Sequence, residues 1–141
     1  MSGPRILFVD DDRDLVAALR LVLEGGGYTV GVAHNAEDGL SKAMLERPDL
    51  ILLDVMMPNA TEGFHFVWRL RDLGDDYFKR VPIIVLSAIH DRTTLRFYPD
   101  APDGTYAAGE FLPVQEFLDK PVEPAVLLER IGKILAIAKR G

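Results

Sequence analysis

Three short runs in this chain are apolar at every position: Ile6-Leu7-Phe8-Val9, Leu50-Ile51-Leu52-Leu53 and Ile83-Ile84-Val85-Leu86. A strand with one wet face alternates apolar and polar side chains, so a continuous short run reads as a strand covered on both faces. Sheets of that kind are parallel, and parallel neighbours need a crossover, usually a helix, between them. The intervening segments supply one. After the first run, Leu15, Val16, Leu19, Val22 and Leu23 recur at helical spacing, with Asp11 or Asp12 as cap and Gly25-Gly26-Gly27 as terminator. Tyr28 to Ala33 is a short β-rich segment. Asn35 caps a second helix with Ala36, Leu40, Ala43 and Met44 on one face. Arg47-Pro48 stops it, because the residue before a proline avoids the α region.

Past the second run, Pro58 to Gly63 reads as a loop and Phe64 to Leu73 as a helix, buried through Phe66 or Phe64, Val67, Leu70 and Leu73. Past the third run, Arg92 to Tyr98 reads as a turn or two of helix and Pro99 to Pro113 as loop. Glu116-Phe117-Leu118 is a short strand. Pro124 suits the first turn of a last helix with the stripe Leu127, Leu128, Ile131, Ile134, Leu135 and Ala138. The expectation is α/β, five strands, one domain over residues 1–141, with no internal repeat.

Composition narrows the function classes. The net charge is −6 with no Lys/Arg block, which argues against nucleic acid or an anionic membrane as a direct partner. There is no cysteine, hence no disulfide, thiolate nucleophile or Cys-based zinc site. No apolar run approaches the roughly 20 residues of a membrane span, and the start has no signal-peptide h-region. A cytoplasmic protein is expected.

The polar residues that end the strands carry the chemistry. Asp10 and Asp11 end the first, Asp54 the third, Ser87 the fourth, and Lys120 follows the fifth. In a parallel sheet these converge at the carboxyl edge, where open α/β sheets bind ligands. Three carboxylates placed together repel one another, and a divalent cation such as magnesium relieves that. A lysine and a hydroxyl beside them suit a phosphoryl group, and a carboxylate can itself become an aspartyl-phosphate. Singly, each residue has a plainer role. Asp12 is best read as a helix cap, Ser87 as a turn residue, Lys120 as a solvated lysine and Phe117 as core. His34, His65 and His90 lack metal-ligand spacing and are assigned no chemistry, and Trp68 reads as partial core.

Val9-Asp10-Asp11, Leu53-Asp54-Val55-Met56-Met57-Pro58, Leu86-Ser87-Ala88 and Asp119-Lys120-Pro121, in that order, resemble the signatures of the response-regulator receiver domain. That family is the phosphoacceptor module of two-component signalling, and the resemblance spans essentially the whole chain. It implies a flavodoxin-like (βα)5 three-layer sandwich with a parallel five-stranded sheet in the order 2-1-3-4-5. It implies that Asp54 accepts phosphate from a sensor histidine kinase or a histidine phosphotransfer protein. Mg2+ would be held by Asp11, Asp54 and the Met56 backbone carbonyl, with Asp10 acting mostly through metal-bound water. Lys120 would bridge to the phosphoryl oxygens, and Ser87 and Phe117 would form the switch toward a downstream protein target, in a monomer or weak dimer.

Two departures from the family pattern stand out. The loop after Asp54 is one residue longer before Gly63, with Glu62 where an aspartate is usual. The interval from Ser87 to Lys120 is clearly longer than usual, making residues 90–115 an atypical insertion-bearing segment. There, Arg96 through Leu112 either remodels the output face or is an insertion without a role. Met56 and Ile89 occupy positions that flank attacking water in the family, and neither side chain activates water, so slow autodephosphorylation is expected. One helix is expected after Lys120, with no room there for an effector domain, so the chain is expected to be either a stand-alone receiver acting by protein–protein contact or a piece of a longer protein.

Two other classes compete. Haloacid-dehalogenase-like phosphatases also use Asp-x-Asp, then Ser/Thr, then Lys, an order that Asp10, Asp12, Ser87 and Lys120 mimic. That reading lacks the further acidic pair and leaves Asp54 without a purpose. A receiver-like module that binds partners without phosphorylation is opposed by the full set of five polar residues.

Overall fold

A computed structural model describes residues 3–54, 60–87, 116–119 and 122–140. In chain order the elements are β1 (Arg5–Val9), α1 (Arg13–Gly25), β2 (Thr29–Ala33), α2 (Ala36–Glu46), β3 (Leu50–Asp54), α3 (Ala60–Arg71), α4 (Asp76–Arg80), β4 (Ile83–Ser87), β5 (Glu116–Asp119) and α5 (Pro124–Arg140). The three apolar runs are β1, β3 and β4. All strand pairs are parallel, in the order β2-β1-β3-β4-β5. This is the flavodoxin-like order expected above.

Successive side chains of a strand point to opposite faces, and here each face is dry. Leu7, Val9, Ile51, Leu53, Ile83 and Val85 pack on the side of α2, α3 and α4, against Leu40, Ala43, Phe66, Val67, Leu70 and Phe78. Ile6, Phe8, Leu50, Leu52, Ile84 and Leu86 pack on the other side, against Val16, Leu19 and Leu23 of α1 and Leu127, Ile131 and Leu135 of α5. Each fully buried side chain of this size contributes about 1.5–3 kcal/mol relative to exposure. The layers are therefore helices, sheet, helices. Among the described residues no helix is long and apolar enough to cross a membrane.

Several local readings are corrected. α3 begins at Ala60, inside the stretch expected to be loop. Ala60 and Glu62 favour helix, and one glycine, Gly63, costs only about 1 kcal/mol in a helix. Leu73 falls beyond the end of α3 and is 39% exposed. Met44 is 47% exposed, because α2 meets the sheet through Ala36, Gly39, Leu40 and Ala43 instead. Helix α2 does stop at Arg47, but through a left-handed residue (φ 47°) that closes back onto the carbonyl of Ala43. Trp68 is half-buried against the α2/α3 face, as read. The Arg92–Pro113 readings lie outside the described residues.

Helix α4 was not foreseen. Asp75 caps it by accepting from the Tyr77 N–H, and Arg47 pairs with Asp75 at 2.8 Å. The Arg47 guanidinium also lies 5.3 Å from the ring centres of Tyr77 and Phe78. Arg71 reaches from α3 to donate to the carbonyls of Phe78 and Val81 at 3.0 and 2.7 Å. Burial lowers the Arg71 pKa to about 10. These bonds fasten the α3–β4 connection at the amino edge of the sheet, away from the acidic residues.

Candidate functional site

The sheet register does most of the assembly. Val9 pairs with Leu53, so Asp10 and Asp54 emerge next to each other where β1 and β3 end. Asp54 pairs with Leu86, which puts Ser87 one step further on, and Ser87 pairs with Asp119. Neighbouring strands lie about 4.8 Å apart. The strand ends therefore deliver Asp10, Asp54, Ser87 and the residue before Lys120 to one edge. Lys120, Met56 and the side chains of Ser87 and Phe117 lie outside the described residues.

Three carboxylates meet here. Asp10, Asp11 and Asp54 each offer an oxygen within 4.8 Å of the others. Asp10 is wholly buried and Asp54 is 5% exposed, while Asp11 is open to solvent. Two buried like charges side by side are costly without a compensating cation. The spread of these oxygens is close to the roughly 3–4 Å that separates oxygen ligands of one magnesium ion. The donor set, all hard oxygens with one ligand facing water, fits such an ion.

The β1–α1 turn holds this geometry. Asp12 is the N-cap of α1 and accepts from the Leu15 N–H at 3.1 Å, the plain role read from sequence. Its own N–H donates to Oδ1 of Asp10 at 2.9 Å. The Asp10 N–H donates to the carbonyl of Ala33 at 3.0 Å, extending the ladder one rung past β2. His34, to which the sequence reading assigned no chemistry, places Nδ1 3.0 Å from the carbonyl oxygen of Asp10. Its signal was position, directly after β2 and beside Asp10 across the ladder, not ligand spacing.

A doubly wound parallel sheet with an acidic cluster at its carboxyl edge, one carboxylate ending the central strand, defines the class. The chain matches the response regulator receiver domain family over residues 6–102 and belongs to it. Response regulator MprA of Mycobacterium ulcerans (strain Agy99) is 37% identical over 135 residues, which cover 96% of this chain and 51% of that protein. The chain thus spans about half the length of the curated relatives it matches. A response regulator receiver domain protein (CheY-like) from Methanospirillum hungatei JF-1 superposes with a TM-score of 0.77 at 26% identity, covering 99% of this chain and 98% of that one. The chemotaxis response regulator CheY4 of Vibrio cholerae gives 0.76 at 26% identity, covering 94% and 99%. Receiver domains are signalling modules, and nothing in these relationships points to a phosphatase.

Proposed function

We propose that this chain, one receiver domain over residues 1–141, is the phosphoacceptor of a two-component phosphorelay and that Asp54 is the residue phosphorylated. The observation that carries the proposal is the placement of Asp54. It is nearly buried at the end of β3 and clustered with Asp10 and Asp11. An Asp54 carboxylate oxygen forms a bond to phosphorus as the bond from phosphorus to a donor histidine nitrogen breaks. That nitrogen leaves with the electron pair and takes up a proton. The donor is a sensor histidine kinase or a histidine phosphotransfer protein.

Asp11, Asp54 and the Met56 carbonyl would hold Mg2+, with Asp10 behind them, and the bound ion would supply positive charge to the phosphoryl oxygens. Lys120 supplies a second positive charge to those oxygens. Ser87 hydrogen-bonds the phosphoryl group once it is in place, and Phe117 follows inward. This pair biases an existing equilibrium toward a form that binds a downstream protein. The Arg96 to Leu112 segment adapts that output face to its partner. Met56 and Ile89 stand two residues after Asp54 and Ser87 and neither side chain can activate water, so hydrolysis of the product is slow.

The test is mass spectrometry after incubation with acetyl phosphate and magnesium. Wild type should gain one phosphoryl group and Asp54→Asn should gain none. Loss of that phosphate should be slow with magnesium present. Equal incorporation into Asp54→Asn would sink the assignment.

A further inference from the structure

We propose that His34 is a positioning residue for the divalent cation, acting through the backbone of Asp10. The inference rests on the metal reading above and assigns it a residue that is neither a ligand nor a phosphate contact.

β1 and β2 pair in parallel with Val9 opposite Ala33. In a parallel ladder, alternate residues of one strand bond both ways to the other at even spacing. The Ala33 carbonyl takes the Asp10 N–H, so the next rung would run from the Asn35 N–H to the Asp10 carbonyl. No bond between those two groups is found among the described residues, and Asn35 instead begins α2. It is the N-cap of α2, extended at φ −156° and ψ 169°, with its side chain accepting from the Asp38 N–H at 2.8 Å. The donor placed on the Asp10 carbonyl is the His34 ring, at 3.0 Å. A carbonyl only accepts, so Nδ1 carries the proton in this contact.

The imidazole thus stands in for a backbone rung where the ladder gives way to α2. Its effect is on Asp10, which is held at its N–H by Ala33, at its carbonyl by His34 and at its Oδ1 by the Asp12 N–H. The peptide that His34 holds is also the one leading into Asp11, the exposed carboxylate of the cluster. Fixing that peptide limits how far the Asp10 and Asp11 oxygens drift from Asp54. Groups that orient metal ligands without touching the ion commonly change affinity 10- to 100-fold when removed. A contact made through one backbone carbonyl belongs at or below the low end of that range.

The experiment is a magnesium titration followed by calorimetry and by the amide NMR shifts of Asp11 and Asp12, with no phosphodonor present. His34→Leu keeps bulk and removes the donor, and it should weaken magnesium binding by about fivefold. His34→Asn returns a side-chain N–H near the place of Nδ1 and should restore most of the affinity. Asp11→Asn is the control for the metal reading itself. If wild type shows no saturable binding, or Asp11→Asn binds as wild type does, the metal reading fails and the His34 proposal with it. If Asp11→Asn loses binding while His34→Leu retains wild-type affinity, the His34 proposal alone is overturned. It is overturned equally if His34→Leu and His34→Asn are impaired alike, since a donor at this place would then be irrelevant.

Discussion

Two helix glycines make a matched test of how tightly this fold is packed. Gly39 lies in α2 against the sheet, where an added Cβ would sit 3.0 Å from Phe66 Cε1 and from Val9 Cγ1. Gly132 lies in α5 on an exposed face, and an added Cβ there would meet nothing within 4 Å. Replacing a helix-interior glycine by alanine stabilises by up to about 1 kcal/mol, largely by narrowing the unfolded ensemble. Gly132→Ala should show that gain. At Gly39 the same gain is opposed by overpacking, which costs about 1–3 kcal/mol when the neighbours cannot move. Phe66 and Val9 are both fully buried, and Val9 is locked in the ladder beside Leu53. Gly39→Ala should therefore lose about 1 kcal/mol net, the overpacking cost less the propensity gain. Urea denaturation gives both signs directly, and melting should shift by roughly 4 °C in opposite directions. Equal stabilisation by both substitutions would refute the claim that α2, β1 and α3 meet without slack.

Other expectations follow from single contacts. Asp12→Ala removes the α1 cap and should cost about 1 kcal/mol in urea denaturation, yet leave phosphate incorporation intact. Loss of incorporation would return Asp12 to the chemistry. Arg71→Met leaves the carbonyls of Phe78 and Val81 without their charged donor and should cost about 1.5–3 kcal/mol by the same assay; a neutral result would contradict the role given to that side chain. The Tyr77 N–H and then Arg47 hold the Asp75 carboxyl below its usual pKa. Its contribution is therefore present above the unfolded pKa and is lost as pH falls through the lower folded value. Carboxyl NMR should find the Asp75 midpoint below roughly 3.9, and a midpoint at or above that value would remove the contact from the account.

What could be read from sequence follows from how strongly each part depends on local pattern. β1, β3 and β4 are legible because burial on both faces leaves no polar position. Asp12 and Asn35 are legible as caps because a short polar side chain before a helical stripe has few other uses. The start of α3 was hidden by Pro58, Asn59 and Gly63, each a turn signal that the helix tolerates or begins just beyond. α4 is five residues long, too short to show a period, and depends on Arg47 and Pro48 from a distant part of the chain and on Arg71 from the end of α3. Met44 was misplaced because spacing gives a face only to within a residue, and Gly39 takes the place against the sheet. The site carboxylates were legible because each ends a strand. His34 was not, because its role is a side chain replacing a backbone rung, and only the register reveals that.

The assignment of Asp54 as phosphoacceptor is tested most directly by locating the phosphate. The protein is phosphorylated with acetyl phosphate and magnesium and reduced with borohydride, which converts an aspartyl-phosphate to homoserine. Peptide mass spectrometry then reads the position. Homoserine is expected at position 54 alone. Homoserine at position 10, the first aspartate of the Asp-x-Asp order shared with haloacid-dehalogenase-like phosphatases, would contradict the assignment.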